Sequence, residues 1–329
     1  MSADPSRILD ALRGYWNTEA LKAAIDIGVF TALDRRARTA GALAKACGAD
    51  EGRLRRLCDN LVSQRFLVRK NGKYRAAADA ARYLNEASPD SLVGSTRFFN
   101  EPPVTTAFAR LGRSVTNARE DRIAADESLW REFAGRTLRL RQLRAAPLAA
   151  ELRRRGLGRG RILDVGAGGS PLGISLLARA ATATLTVQDR PGVLDVALRH
   201  AADAGVEQRV SSLPGDARTV AFGGGAYDLV LMVNVLDYFS DADRAALVDK
   251  AAAALAPGGT LAIAAPLLHE GRTSPSDAVS HDLLLLALGG ESQAFTVRDL
   301  VRLLRLAGFV RVTRVAALSL VLADTRKNA

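Results

Sequence analysis

The first hundred residues alternate short apolar helical repeats with polar stops. Apolar side chains recur at helical spacing at Leu9, Leu12, Tyr15 and Trp16. Thr39 then leads a short helix that ends in glycine, and Asp50 is placed to cap a longer helix over 51–64. Asn71-Gly72, a dipeptide that favours a tight hairpin turn, separates two strand-like segments within 66–76. This order of helix, short helix, longer helix and hairpin predicts a winged-helix arrangement.

From residue 161 the pattern changes to short apolar strands that alternate with helical segments. We expect strands at Ile162–Val165, Thr184–Gln188, Val210–Leu213, Tyr227–Val233, Thr260–Ala264, Phe309–Val315 and Ser319–Ala323. Such alternation predicts a mostly parallel sheet covered by helices on both faces. The last two strands are separated only by 316–318, which is too short for a crossover helix, so these two are expected to pair antiparallel.

Composition narrows the class of protein. With 329 residues, of which 48% are apolar, the chain is too hydrophobic to be disordered and long enough for two domains. Two cysteines exclude a disulfide framework, and no Cys/His cluster offers a zinc site, so no metal is expected. The longest apolar run, 283–288, is too short to span a bilayer, and the first residues lack a signal-peptide core. A cytoplasmic protein without membrane contact is therefore expected.

The net charge of +11 lies entirely in the first half of the chain. Residues 1–156 hold 29 Lys/Arg against 18 Asp/Glu, whereas residues 157–329 hold 17 of each. Two interpretations stay open: solvated helix faces with interdomain ion pairs, or contact with nucleic acid. The helix over 51–64 and the residue after it display Arg53, Arg55, Arg56 and Arg65. A winged-helix DNA-binding regulator is therefore one alternative.

The segment 162–173, Ile-Leu-Asp-Val-Gly-Ala-Gly-Gly-Ser-Pro-Leu-Gly, places glycines at the turn from the first strand of the second half into a helix. Without side chains, Gly166 and Gly168 let a ligand approach the backbone, and the following helix start offers N–H groups. Asp189 ends the next strand, at the spacing where a carboxylate accepts hydrogen bonds from ribose hydroxyls. Asp216 and Ala217 follow the third strand, where an adenine amino group can be bound. Together these features indicate a nucleoside cofactor.

With these motifs, and with the buried strand 227–233 and the Leu-Ala-Pro-Gly-Gly turn at 255–259, the chain resembles the two-domain class I S-adenosylmethionine-dependent O-methyltransferases of the caffeic-acid and hydroxyindole type. The resemblance implies a Rossmann-like seven-stranded α/β methyltransferase domain preceded by an all-helical winged-helix domain that forms a homodimer. It implies domains at 1–100 and 157–329, joined by a helical linker, 101–156, that contributes to the substrate cleft. Nucleic-acid binding is then not expected.

The resemblance also implies roles for individual residues. Those expected to bind S-adenosylmethionine are Asp164, Gly166, Gly168, Asp189, Asp216, Ala217 and Met232. Those expected to line the site for a small-molecule substrate between the domains are Trp130, Phe133, Met232, Asn234, Tyr238 and the helix over 280–288. For Trp130 and Phe133, simple interdomain packing is an equally open interpretation.

The chain departs from the family pattern at the catalytic base. Phenol-methylating members carry His-Asp-Trp after the fourth strand, whereas this chain has Asp237-Tyr-Phe, and Ser170 replaces the third loop glycine. A carboxylate is a weak base for a phenol unless its environment is tuned. Methyl transfer can, however, gain much of its rate from proximity alone. Candidate catalytic residues are Asp237 and His281, with Tyr238 as a further helper, while His269 is expected in a surface loop. His281 faces either the cleft or solvent.

The function expected from the sequence is methyl transfer to a small aromatic or conjugated metabolite. O-methylation, by proximity with weak base assistance, is the leading hypothesis. Its alternatives are C-methylation on the same fold, cofactor binding without transfer, and the DNA-binding regulator. The identity of the substrate is beyond the sequence.

Overall fold

The computed structural model describes residues 4–116, 126–289 and 293–326. The chain folds into two compact units, Met1–Glu101 and Pro102–Ala329. The helices over 102–154, in the stretch that the sequence suggests as a linker, belong to the second unit. No helix in the described part of the chain is both long and apolar enough to cross a membrane.

The first unit is built from six helices and three short strands within its described residues, 4–101. They are α1 (Ser6–Asp26), α2 (Val29–Leu33), β1 (Arg38–Thr39), α3 (Ala40–Cys47), α4 (Glu51–Ser63), β2 (Leu67–Lys70), β3 (Lys73–Ala76), α5 (Ala78–Tyr83) and α6 (Val93–Phe99). The strands form one antiparallel sheet in the order β1-β3-β2. The winged-helix arrangement is confirmed, but the unit is not all-helical, because β2 and β3 form the predicted hairpin and β1 adds a third strand to it.

Local signals in the sequence explain where these elements begin and end. The Thr39 side chain accepts a hydrogen bond from the Ala42 amide, and Asp50 accepts one from the Arg53 amide, so each caps the helix that follows. Asn71 and Gly72 both adopt positive φ, +49° and +70°, as a type I′ hairpin turn requires. The apolar faces of the helices then enclose a core around Phe30, Leu61 and Tyr74.

The second unit alternates strands and helices after four leading helices. They are α7 (Pro102–Ala109), α8 (Leu111–Thr116), α9 (Glu127–Arg136), α10 (Leu138–Arg154), β4 (Arg161–Val165), α11 (Pro171–Leu177), β5 (Thr184–Asp189), α12 (Pro191–Asp203), β6 (Val210–Pro214), β7 (Tyr227–Val233), α13 (Asp241–Ala254), β8 (Leu255–Ala264), α14 (Ser276–Ala287), α15 (Val297–Leu306), β9 (Arg311–Val315) and β10 (Leu320–Asp324). All seven predicted strands are present. β8 begins earlier than expected, because Leu255 already pairs with Tyr227 before the register shifts.

The seven strands form one sheet in the order β6-β5-β4-β7-β8-β10-β9. The first five are parallel, and β10 pairs antiparallel with both β8 and β9, as the short connection predicts. The chain runs outward from β4 through β5 to β6 and then returns to the other side of β4 with β7. The order of strands thus reverses between β4 and β7, and ligands of open α/β sheets bind beyond the carboxyl ends of the strands at such a point.

Alternate residues of the central strands feed two separate hydrophobic cores. Leu229 and Leu231 pack with α10, α11 and α12 on one face, whereas Val230 and Met232 pack with α13 and α15 on the other. Both faces are therefore covered, which explains the nearly continuous apolar runs in the sequence. The Rossmann-like fold class is confirmed. Polar side chains such as Asp189 and Asp216 lie at the carboxyl ends of the strands, outside these two cores.

Candidate functional site

The loop between β4 and α11 needs glycine at two positions. Gly166 and Gly168 have φ values of +60° and +55°, which side chains rarely adopt. A Cβ at Gly168 would lie 2.6 Å from Arg141 Nη1, and one at Gly166 would overlap the Val235 side chain. The loop backbone is therefore held bare at the wall of a cavity, as the sequence predicts.

Ser170 takes the place of the third glycine with a structural purpose. It also has positive φ, +47°, and its hydroxyl donates a 2.6 Å hydrogen bond to Asp164 Oδ2. Both side chains are buried. Burial raises the pKa of Asp164 to about 6, against the lowering effects of the Ser170 hydrogen bond and the Arg141 charge. Asp164 therefore supports the loop from below and does not line the cavity, which corrects its predicted direct contact.

Asp189 stands at the carboxyl end of β5 and is tied to the glycine loop. Its Oδ2 accepts a 2.7 Å hydrogen bond from the Gly168 amide, and its Oδ1 accepts one of 2.8 Å from the Arg190 amide. Burial raises its pKa, while these two amides act in the opposite direction. Each carboxylate oxygen keeps a second lone pair that can face a ligand hydroxyl.

Asp216 and Ala217 lie at the carboxyl end of β6. Asp216 is paired with Arg218, whose Nη2 lies 2.6 Å from Oδ2, and this pairing lowers the pKa of Asp216 to about 2. Lys250 on α13 donates hydrogen bonds to the carbonyls of Ala217, at 2.6 Å, and Val220, at 2.7 Å. The lysine thus fixes the backbone of this loop, a role that the sequence did not indicate.

These strand ends meet at a cavity that opens to solvent and encloses about 780 Å³ of empty space, its open mouth included. Its lining comes entirely from the second unit: Trp130, Phe133, Ala134, Arg141, Gly166, Gly168, Gln188, Asp189, Arg190, Val193, Gly215, Asp216, Ala217, Asn234, Val235, Tyr238 and Phe239. Five of the seven residues predicted to bind the cofactor are among them. The other two, Asp164 and Met232, are not.

Met232 corrects the sequence prediction a second time. Its side chain is fully buried in the core under α13, because strand alternation turns it away from the face that Leu231 shares. It does not line the cavity. His269 is exposed in a loop, as predicted, and its Nδ1 lies 2.8 Å from Ser274 Oγ.

Aromatic side chains form the other end of the cavity. The ring of Trp130 lies edge-on to Phe133 and to Tyr238, with centroid distances of 5.8 and 4.7 Å. Asn234 follows β7 directly and adopts φ +50°, a conformation that costs free energy outside glycine and is concentrated at functional sites. Of the residues predicted to line the substrate site, Trp130, Phe133, Asn234 and Tyr238 line this cavity, whereas Met232 and the helix over 280–288 do not.

The two predicted catalytic residues contact each other and lie beside this aromatic group. His281 Nε2 on α14 lies 3.1 Å from Oδ2 of Asp237, in the 3₁₀ turn Leu236–Tyr238. The Asp237 side chain is fully buried, and its Oδ1 has no hydrogen-bond partner. Neither residue is part of the cavity lining. Tyr238, which does line the cavity, is their neighbour: its ring centroid lies 6.4 Å from that of His281.

Arg141 is the main site residue that sequence reasoning missed. Its guanidinium lies over the Phe133 ring at 5.5 Å and next to the glycine loop. Burial lowers its pKa, against the opposing effect of the charges of Asp164 and Asp189, and it makes no ion pair within residues 4–116, 126–289 and 293–326. A signal did exist, since Arg141 precedes Ala145 and Leu148 at helical spacing and thus shares the buried face of α10.

Comparisons with known proteins identify both parts of the chain. Residues 162–259 match the methyltransferase domain family, and residues 9–87 match the O-methyltransferase dimerisation domain. The chain therefore belongs to the two-domain class I S-adenosylmethionine-dependent O-methyltransferases.

Individual relatives extend along nearly the whole chain. The 3-hydroxy-5-methyl-1-naphthoate 3-O-methyltransferase of Streptomyces sahachiroi is 27% identical, over 95% of this chain and 92% of its own. A mitomycin biosynthesis 6-O-methyltransferase of Streptomyces lavendulae is 28% identical, over 89% and 86%. A Nostoc punctiforme structure assigned as an O-methyltransferase superposes with a TM-score of 0.90 at 26% identity, covering 99% of this chain and all of its own.

Proposed function

We propose that the cavity binds S-adenosylmethionine along the strand ends and places a small hydroxylated aromatic acceptor against Trp130, Phe133 and Tyr238. The observation that carries this proposal is the convergence of a bare glycine loop, a partly buried carboxylate and an unpaired guanidinium on one cavity. When bound, S-adenosylmethionine supplies a methyl group already activated on a sulfonium. The protein needs to hold the acceptor oxygen in line and to keep water out.

The residues present fit this cofactor. Gly166 and Gly168 leave the backbone open to its amino-acid end, and the Arg141 guanidinium faces the same space with no anionic partner of its own. We assign Arg141 to the ligand carboxylate, because a charge-assisted pair offsets the cost of enclosing the guanidinium. Asp189 is assigned to the ribose hydroxyls, and the Asp216–Ala217 backbone, held by Lys250, to the adenine.

The acceptor is proposed to be a fused or substituted aromatic hydroxyl compound. Trp130, Phe133 and Tyr238 present ring edges and faces that contact a flat apolar ligand, while Asn234 offers an amide for a polar substituent. The Streptomyces relative named for a hydroxynaphthoate supports the size and chemistry of this class. We therefore expect O-methylation of hydroxynaphthoate-like acceptors.

The binding assignment is tested with S-adenosylhomocysteine by calorimetry. We expect Asp189→Ala to weaken binding by about ten- to a hundredfold, since hydrogen bonds to a charged group contribute about 1.5–3 kcal/mol. Asp195→Ala, which removes an exposed carboxylate on α12, is the matched control and is expected to bind normally. Equal affinity of the two variants would remove Asp189 from the site. Transfer of a labelled methyl group to a hydroxynaphthoate, with the product identified by mass and NMR, tests the reaction.

We further propose that the first unit joins two copies of the chain through α1. This helix exposes Ile8, Leu12, Tyr15 and Trp16, each between 62% and 69% accessible, along one stripe. A row of large apolar side chains is unfavourable in water and marks an interaction surface. The match to a dimerisation domain over 9–87 supports a second copy of the chain as the occupant.

Light scattering tests the dimer. The wild type is expected at twice the chain mass of 34.9 kDa, and Leu12→Glu is expected to shift it toward one chain. Arg7→Glu, an exposed neighbour on the same helix, controls for the added charge. A wild type of single-chain mass would overturn the proposal.

No DNA-binding role is proposed for the α4 arginines. Arg55 pairs with Asp59 at 3.0 Å, and Arg69 on the hairpin pairs with the same carboxylate at 3.2 Å. A basic surface that reads DNA would bind duplexes in a strongly salt-dependent manner. We expect no such binding in a fluorescence titration at low salt.

A further inference from the structure

Asp237 and His281 form a pair in which the carboxylate stands at the position where the family is expected to carry its histidine. The position after β7 where phenol-methylating members carry their basic histidine holds a carboxylate here. The histidine instead comes from α14, forty-four residues later, and its Nε2 lies 3.1 Å from Asp237 Oδ2. The packing of α14 within the second unit therefore provides a histidine–carboxylate contact that the sequence after β7 alone does not contain.

The contact selects one form of the imidazole ring. A carboxylate oxygen only accepts hydrogen bonds, so Nε2 must carry the proton that it donates to Asp237. Nδ1 of the neutral ring is then left with a free lone pair, and no described residue forms a hydrogen bond with it. One nitrogen is oriented by a carboxylate and the other is available, which is the arrangement of a general base.

The surroundings of the pair favour a function over simple packing. Asp237 is fully buried with Oδ1 unpartnered, and because such a group destabilises the fold it is rare without a functional reason. Arg244 on α13 donates to the Leu236 carbonyl at 3.0 Å and to the Asp237 carbonyl at 3.4 Å, so it fixes the turn and places a positive charge near the carboxylate.

Other groups near the pair are less suited to removing a proton. Burial, with the Asp237 charge, raises the pKa of Tyr238 well above its usual value, so its phenol stays protonated. Asp282, the next residue on α14, accepts a hydrogen bond from the Ala294 amide at 2.6 Å. The His281 side chain keeps 15% of its surface accessible, next to the cavity-lining Tyr238.

We infer that His281 is the general base for the acceptor hydroxyl and that Asp237 is the positioning residue that orients it. The acceptor O–H bond breaks and its proton moves to Nδ1. The oxygen forms the new bond to the methyl carbon, and the electron pair of the broken carbon–sulfur bond stays on sulfur. The imidazolium then returns its proton to solvent. This inference rests on the proposed O-methylation of an aromatic hydroxyl.

Single-turnover rates on naphthols of graded acidity test the base. We expect His281→Gln to slow methylation of a weakly acidic naphthol at pH 7 by about a hundredfold or more. The deficit should shrink as the pH approaches the naphthol's own pKa, and it should vanish for a nitronaphthol that is already ionised. Asp237→Asn should show a smaller loss with the same dependence on acceptor acidity.

His269→Gln, in the exposed loop, is the matched control and should retain wild-type rates. Binding of S-adenosylhomocysteine should be unchanged in all three variants. A His281→Gln variant that keeps full rates, or that slows every naphthol equally, would overturn the inference.

Nitrogen NMR of the His281 ring provides a second test that needs no acceptor. In the neutral form of the ring we expect the single proton on Nε2, whereas a single proton on Nδ1 would contradict the dyad. The two proposals fail in different ways. A wild type that binds no S-adenosylhomocysteine refutes the proposed function, while the ring tautomer and the naphthol series decide on the base.

Discussion

The two ends of the cavity are built by different means. At the nucleoside end, the ligand surface consists of backbone and short side chains at the tips of adjacent parallel strands, with Gly166, Gly168, Asp189 and Ala217 in place. At the proposed acceptor end, it consists of large side chains carried by α9 and by the turn after β7, and His281 of α14 lies next to Tyr238 without lining the cavity. The first end depends on sheet geometry and the second on which helix faces pack inward.

This difference separates what is common to the fold from what is particular to this chain. The positions of the strand ends at the point where the strand order reverses are fixed by the topology of the sheet. A nucleoside site built on these strand ends therefore cannot change its shape without a change in the sheet. Helix-borne side chains can be exchanged without altering the sheet, which makes them suited to acceptor choice. Arg141 is an exception to this division, because it is carried by a helix but is assigned to the cofactor.

Arg141→Met is expected to have the largest effect on cofactor binding. Loss of a charge-assisted contact should weaken S-adenosylhomocysteine binding by about ten- to a hundredfold. 5′-Methylthioadenosine, which lacks the amino-acid end, should bind wild type and variant alike. Calorimetry with both ligands measures the difference, and Arg144→Met, exposed on the same helix, is the control. Equal losses for the two ligands would show that Arg141 acts on the shape of the cavity and not on the carboxylate.

Gly166→Ala is expected to weaken binding by about tenfold. The new methyl group would overlap Val235, and the positive φ costs about 1–2 kcal/mol for a residue with a Cβ. Adding Val235→Ala should recover part of the loss by removing the overlap while leaving the backbone strain. Gly112→Ala, on α8 with open space around the site of a Cβ, is the control. Undiminished affinity in Gly166→Ala would mean that the loop does not need glycine.

Lys250→Met is expected to reduce affinity by about threefold. The ammonium holds the carbonyls of Ala217 and Val220 from outside the cavity, so its loss should loosen the adenine end only. Adenosine, which tests that end alone, should lose the same factor as S-adenosylhomocysteine. An effect confined to S-adenosylhomocysteine would place the influence of Lys250 elsewhere.

Asp164→Asn is expected to change the pH dependence of stability and to have the smallest effect on binding. The folded-state pKa of about 6 lies above the ordinary 3.8, so ionisation of Asp164 opposes folding. Its contribution to the free energy of unfolding should fall as the pH rises from about 4 to about 6 and stay level above that. Urea unfolding of wild type and variant across this pH range measures the difference between their free energies of unfolding. A difference that stays constant with pH would contradict the prediction.

The sequence predicted the strands and the glycine loop from local signals, but it did not predict Arg141, which a helix brings to the cavity. Strand positions, the Thr39 and Asp50 caps and the glycine loop follow from local chemistry and were found. Met232 was misplaced, because its direction depends on which face of β7 is covered by α13. The Asp237–His281 contact could not be read from the sequence, since it depends on how α14 packs across residues far apart in the chain.

The exchange of a glycine for Ser170 has a consequence for protein engineering. Because its hydroxyl satisfies the carboxyl of Asp164 beneath the loop, the two positions form a linked unit that should be transplanted or mutated together. Chimeras that import this loop into a relative without the matching acid, or restore the glycine alone, would bury a polar group without a partner. Grafting the helices of the acceptor end leaves that unit intact and is the safer route to altered substrate range.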